Sequence, residues 1–107
     1  MEKEEMYSKM ITKYAINKQI IQTIEELGEL TQALCKIQRH DIDLTNLQCT
    51  YTNKEMNNIK LLIGELVDVE TMIGQIRYII TNLSDFNSLY EAKVIEVNNK
   101  IKSKISE

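Results

Sequence analysis

No proline interrupts this sequence of 107 residues, and only three glycines do. A chain so poor in turn residues cannot supply the tight reversals that hairpin-joined strands need. Long runs of Ile, Leu, Glu, Lys and Gln take their place, and these residues suit helices. The reading is an all-α chain forming a single domain over residues 1–107, of a size that buries roughly two-thirds of its unfolded surface in one core.

Periodicity divides the chain into four helices. Met6, Met10 and Ile11 fall in helical phase between about Glu2 and Lys13, and Asn17 is the expected N-cap of a second helix over Lys18–Gln38. In that helix Ile20, Ile24, Leu27, Leu30, Leu34 and Ile37 recur every three or four residues and mark the face expected to meet the core. Periodicity is lost from Arg39 to Tyr51, which reads as a long connection. Thr52 and Glu55 then have the spacing of a capping box, opening a third helix. From Ile59 to Ile80 its apolar residues nearly encircle the axis, so it is expected to be the most buried. Ser84-Asp85 is the expected cap of a fourth helix carrying Leu89, Ala92, Ile95, Val97 and Ile101. The architecture predicted is a four-helix bundle.

Charge and composition narrow the function. The net charge is −3 and the Lys and Arg residues form no stripe, which argues against a nucleic-acid polymer as partner. Cys35 and Cys49 are the two cysteines, with no CxxC and with His40 as the one histidine, so neither a zinc site nor a disulfide framework is indicated. The N-terminal MEKEEMYSKM has no apolar run like that of a signal peptide, and no stretch reaches the ~20 apolar residues of a membrane span. Reduced thiols, a cytoplasmic location and no membrane association are the expectation.

The acids carry the functional signal. Glu26 and Glu29 share one face of the second helix, and Glu65 and Asp68 repeat that spacing on the apolar third helix. Acids so spaced are often only a solvated surface. The second pair, however, lies on a helix with little polar face to spare, where an unpaired carboxylate is rare. If the two helices pack antiparallel, four carboxylates converge, repel one another and take up protons unless a cation neutralises them. An all-oxygen ligand set selects Mg²⁺ or Mn²⁺ over zinc. Two ions about 3.5–4 Å apart suit a triphosphate. Gly28 and Gly64 beside the pairs are read either as close helix approach or as ordinary packing.

The segments Glu25-Glu26-Leu27-Gly28-Glu29-Leu30 and Glu65-Leu66-Val67-Asp68 resemble the EExxE…ExxD signature of the MazG-like all-α nucleoside triphosphate pyrophosphohydrolases. Thr31 to Lys36 and Val69-Glu70 share the texture of that family, so the resemblance covers about half of the chain. It implies that Glu26, Glu29, Glu65 and Asp68 ligate Mg²⁺. It also implies that Glu25 and Glu26 serve the catalytic step and that the protein works as a homodimer or homotetramer. The reaction implied is hydrolysis of a nucleoside triphosphate to monophosphate and pyrophosphate. The interval between Glu29 and Glu65 is longer than the family's, which implies an extended connection around Asp41 to Asn53. On the last helix Tyr90, Lys93, Asn98 and Lys102 only approximate the Lys, Asn and Arg pattern of relatives that cleave dUTP and dCTP.

Lys36, Tyr51, Lys93 and Asn98 are the candidates for substrate contact: Lys36 for phosphates, together with Arg39 and His40, and Tyr51 for stacking on a base. The cations at the end of the second helix also complement its dipole. Two other readings fit the same residues: a helical oligomerisation or interaction module without catalysis, and a nucleotide binder without turnover.

Overall fold

The computed structural model describes residues 2–45 and 50–107, so Leu47 and Cys49 lie outside the described residues. Among the described residues four helices follow one another: α1 (Lys3–Lys13), α2 (Ile16–Arg39), α3 (Asn53–Tyr78) and α4 (Asn87–Ile105), with a π-helical segment, Ile79–Leu83, continuing α3. Among the described residues there is no strand, and no helix is long and apolar enough to cross a membrane.

The breaks have local causes. α1 ends where Tyr14 turns extended (φ −115°, ψ 133°). α2 begins earlier than an Asn17 cap predicts, because the Ala15 carbonyl already accepts from Lys18 N–H at 2.9 Å and Gln19 N–H at 3.1 Å. At its far end Asp41 takes a left-handed φ of 51°. Asp41 N–H then donates to the Gln38 carbonyl and Ile42 N–H to the Ile37 carbonyl, both at 3.1 Å. These bonds form a Schellman motif with aspartate in the place usually taken by glycine, and its apolar pair, Ile37 and Ile42, is buried. The connection continues through Asp43, whose carbonyl accepts from the Tyr51 hydroxyl.

The Thr52–Glu55 capping box is present in both directions. Glu55 N–H donates to Thr52 Oγ1 at 3.1 Å, and Thr52 N–H to Glu55 Oε1 at 2.9 Å. The fourth helix departs from expectation: it follows Phe86, with no side-chain cap, because Asp85 adopts a left-handed φ of 58° and turns the chain instead of capping it.

α2 and α3 form the largest helix–helix contact. Glu26 lies beside Glu65 while Lys18 and Gln19 share a cavity with Met72, so the two helices run antiparallel. On α2 the inward row is Gln19, Thr23, Glu26, Leu30, Ala33 and Ile37; on α3 it is Leu62, Glu65, Val69, Met72 and Gln75. Both rows have the three-and-four spacing of a helix seam.

This seam is not the one apolar periodicity selects on α2. Of the predicted stripe only Ile37 is buried and Leu30 half-buried; Ile20, Ile24, Leu27 and Leu34 face outward, Ile24 being 63% exposed. Nor is α3 enclosed on all sides, since Leu61, Ile63, Leu66 and Val67 are exposed. The reason is a shortage of neighbours. α1 and α4 bury no residue of their own, and α4 rests mainly on the π segment, so one face of the α2–α3 pair stays uncovered.

Candidate metal centre

The seam places two carboxylates where apolar side chains would ordinarily sit. Glu26 follows Thr23 by three residues and precedes Leu30 by four; Glu65 stands between Leu62 and Val69 in the same manner. Both are half-buried, and Glu29, one turn along α2, joins them from the exposed side. One carboxylate oxygen of each of the three lies within 4.8 Å of the others.

The hydrogen bonding of this group is incomplete. Glu26 Oε1 accepts from Gln22 Nε2 at 2.8 Å, but Glu26 Oε2 and Glu65 Oε2 are buried with no donor. Among the described residues the ion pairs are Lys9–Glu5, Lys93–Glu96 and Lys100–Glu96, none of which reaches the group. Like charges in a seam with two buried acceptors unserved leave a deficit of positive charge. An orphaned buried acceptor costs about 1–3 kcal/mol, more when charged. A cation is one partner that would serve these oxygens, and an all-oxygen donor set would suit a hard divalent ion such as Mg²⁺ or Mn²⁺.

The structure brings Glu26, Glu29 and Glu65 together; Asp68, three residues beyond Glu65 and exposed, stands outside that group, as does exposed Glu25. A methyl group at Gly28 or Gly64 would meet nothing within 4 Å, so neither glycine serves a close approach within the protomer. Lys36 and Arg39 lie exposed in the last turn of α2, where they complement the helix dipole, and exposed His40 caps it. Tyr51 is held against the connection by its bond to Asp43. Lys93 pairs with Glu96 at 3.1 Å and lines, with Asn98 and Tyr90, a separate depression of about 230 Å³ on α4.

Sequence reasoning passed over the polar residues of the seam. Gln75 is 2% exposed, Gln19 4% and Thr23 8%, and Oε1 of each glutamine has no donor. Thr23 satisfies its hydroxyl on the Gln19 carbonyl at 2.7 Å. The usable signal was phase: Gln19, Thr23 and Glu26 share one heptad-like row with Ala33 and Ile37, and Gln22 precedes Glu26 by the four residues that let side chains meet.

Neither a protein-family model, nor a curated protein, nor a solved structure matches this chain.

Proposed function

We propose that the protein is a Mg²⁺-dependent nucleoside triphosphate pyrophosphohydrolase of the MazG-like all-α type, working as a homo-oligomer. The observation that carries the reading is the pair of seam carboxylates, Glu26 and Glu65, each with a buried oxygen that no donor serves, with Glu29 closing the group. Glu26, Glu29 and Glu65 would hold the ion; Asp68, which the resemblance adds to the set, lies exposed on the next turn of α3 and outside the group. An ion there supplies the positive charge that triphosphate oxygens require next to acidic side chains.

In the reaction a water oxygen bonds to the α-phosphorus. The bond from that phosphorus to the bridging α–β oxygen breaks, and pyrophosphate leaves with the electron pair. Glu25, exposed beside Glu26, is the residue assigned to accept the water's proton.

The oligomer rests on area. The accessible surface is 8446 Å², whereas a compact monomer of 12.5 kDa exposes roughly 6,200 Å². The excess of about 2,200 Å² per chain matches the share each partner buries in an obligate interface, on the order of 1,000–2,500 Å². The outward stripe of α2 and the apolar residues of α4 are the surface such a partner covers.

The test is pyrophosphate release from a panel of ribo- and deoxynucleoside triphosphates with Mg²⁺, comparing wild type with Glu65→Gln. Release from at least one member, reduced by about 10²–10³-fold in the variant while its helicity persists, is expected. No release from any member, with Mg²⁺ and nucleotide also leaving the melting temperature unchanged, sinks the enzyme and favours a helical interaction module. Stabilisation without release identifies a binder that does not turn over.

A further inference from the structure

α2 carries a second row beside its seam. Ile20, Ile24, Leu27, Thr31, Leu34 and Gln38 alternate spacings of four and three, the pattern of a row that meets another helix, and none of them is charged. The Thr31 hydroxyl donates to the Leu27 carbonyl at 2.9 Å, so it brings no idle donor to the row. α3 carries a counterpart in Ile59, Leu66 and Ile73, with Ile63 and Glu70 at its outer edge. Ile20, Ile24, Leu27, Leu34, Leu66 and Ile73 are between 37% and 63% exposed.

The two rows lie on the same side of the helix pair. Each residue turns about 100° around a helix axis, and by that count each outer row stands about 100° past the seam row of its own helix in the direction of winding. Because α2 and α3 are antiparallel, equal turns in the winding sense bring both rows to one side. Glu26 is level with Glu65, which sets Ile20–Leu34 beside about residues 57–71 of α3 and makes one apolar face about 21 Å long. Glu29 and Asp68 stand about 80° and 60° before their seam rows, on the opposite side. α1 lies there too, since its Met10 shares a cavity with Lys18 and Gln22, which also precede the seam row of α2.

Chemistry and area decide what covers this face. Its rows hold no charge that would select a charged partner. The chain exposes about 2,200 Å² more than a compact monomer of its mass, and a standard interface buries about 800 Å² per partner. Two antiparallel rows of equal length also complement a copy of themselves turned about a twofold axis.

We infer that two copies of the chain meet here, one α2–α3 pair laid on the other about a twofold axis passing near Leu27 and Leu66, with both acidic groups opening away from the interface. The inference deepens the homo-oligomer of the proposed function by naming its face, and it does not depend on the hydrolase reading.

The test uses the full chain without Mg²⁺ or nucleotide. Light scattering should give wild type at least twice the mass of one chain. Leu66→Glu should reduce that mass by at least half, whereas Gln32→Glu, on the other side of α2, should leave it unchanged. A monomeric wild type, or a Leu66→Glu protein of wild-type mass, overturns the face. The second measurement needs no variant: isotope-filtered NMR on a mixture of labelled and unlabelled wild-type chains. Contacts between copies from the Ile24, Leu27 and Leu66 methyls, and none from Ala33 in the seam, are expected; contacts confined to α4, or none at all, overturn the face. Hydrolysis enters neither readout, so a dimer through this face without activity sinks only the hydrolase, and an active monomer sinks only the face.

Discussion

Glu26 shows how one side chain divides its roles: Oε1 is fixed by the Gln22 amide, and Oε2 remains buried without a donor. The first bond orients the carboxylate, and the second oxygen is what a cation would serve. The spacing of Glu26 and Glu29 was legible in the sequence because i, i+3 residues share a helix face whatever the helix packs against. That Glu26 and Glu65 lie in the seam while Asp68 stays exposed was not legible, because a helix's own periodicity does not select which of its rows meets a neighbour.

Asp43 offers a separate prediction at this scale. Its Oδ1 accepts from the Thr45 hydroxyl at 2.8 Å and from Thr45 N–H at 2.9 Å, and the side-chain and then the backbone bond hold its pKa below the ordinary aspartate value. A lowered folded pKa adds stability that is present above the unfolded value and lost as pH falls through the folded one. Because Asp43 is exposed, the effect stays within the connection. The carboxyl carbon of Asp43, followed by NMR, should titrate below that of an aspartate in an unstructured peptide. Thr45→Val should return it toward that value, and an unchanged midpoint would remove these bonds as the cause.

At the level of elements, α1 is held to α3 through one crossing. Tyr7 lies against Gly74, its ring 6.3 Å from that of Tyr78, and a Cβ at Gly74 would collide with the Tyr7 hydroxyl and ring. Gly74 sits inside a helix at a propensity cost of about 1 kcal/mol relative to alanine, and this contact accounts for it. In Gly74→Ala, Tyr7 must yield, and α1, which buries no residue, goes with it. Amide exchange over residues 3–13 should accelerate at least tenfold while the α2–α3 seam keeps its protection and the melting temperature moves by only a few degrees. Loss of protection throughout would mean that α1 is integral to the core.

The whole molecule is spread rather than compact. Its radius of gyration is 17.6 Å, against about 13 Å for a compact domain of 107 residues. Part of the exposed surface is an apolar stripe, Ile20, Ile24, Leu27 and Leu34 along α2, whereas the exposed Leu89, Ile95 and Ile101 of α4 lie on different sides of that helix. Single exposed apolar residues are ordinary, and the continuous stripe on α2 is the surface that the proposed assembly would cover. Light scattering coupled to size exclusion should give at least twice 12.5 kDa at micromolar concentration. Ile24→Glu, which places a charge on the α2 stripe without touching the seam, should reduce both the mass and the melting temperature. A wild-type monomer with full helicity would refute the assembly.

Helix positions, the capping box at Thr52 and the row of acids on each helix were determined by the sequence itself, since all depend on residues within a few positions of one another. The expectations that failed are those that needed a neighbour. The stripe of Ile20 and Ile24 was taken for the inward face of α2 because it is the more apolar one, yet Gln19 and Thr23 lie inside and the isoleucines outside. Asp85 was assigned to cap a helix and instead turns the chain. Only the tertiary structure decided these matters: a helix carries several rows with the same period, and the pairing of α2 with α3 selects one row from each. That selection buries polar atoms beside the acids and leaves the most apolar row for whatever packs next.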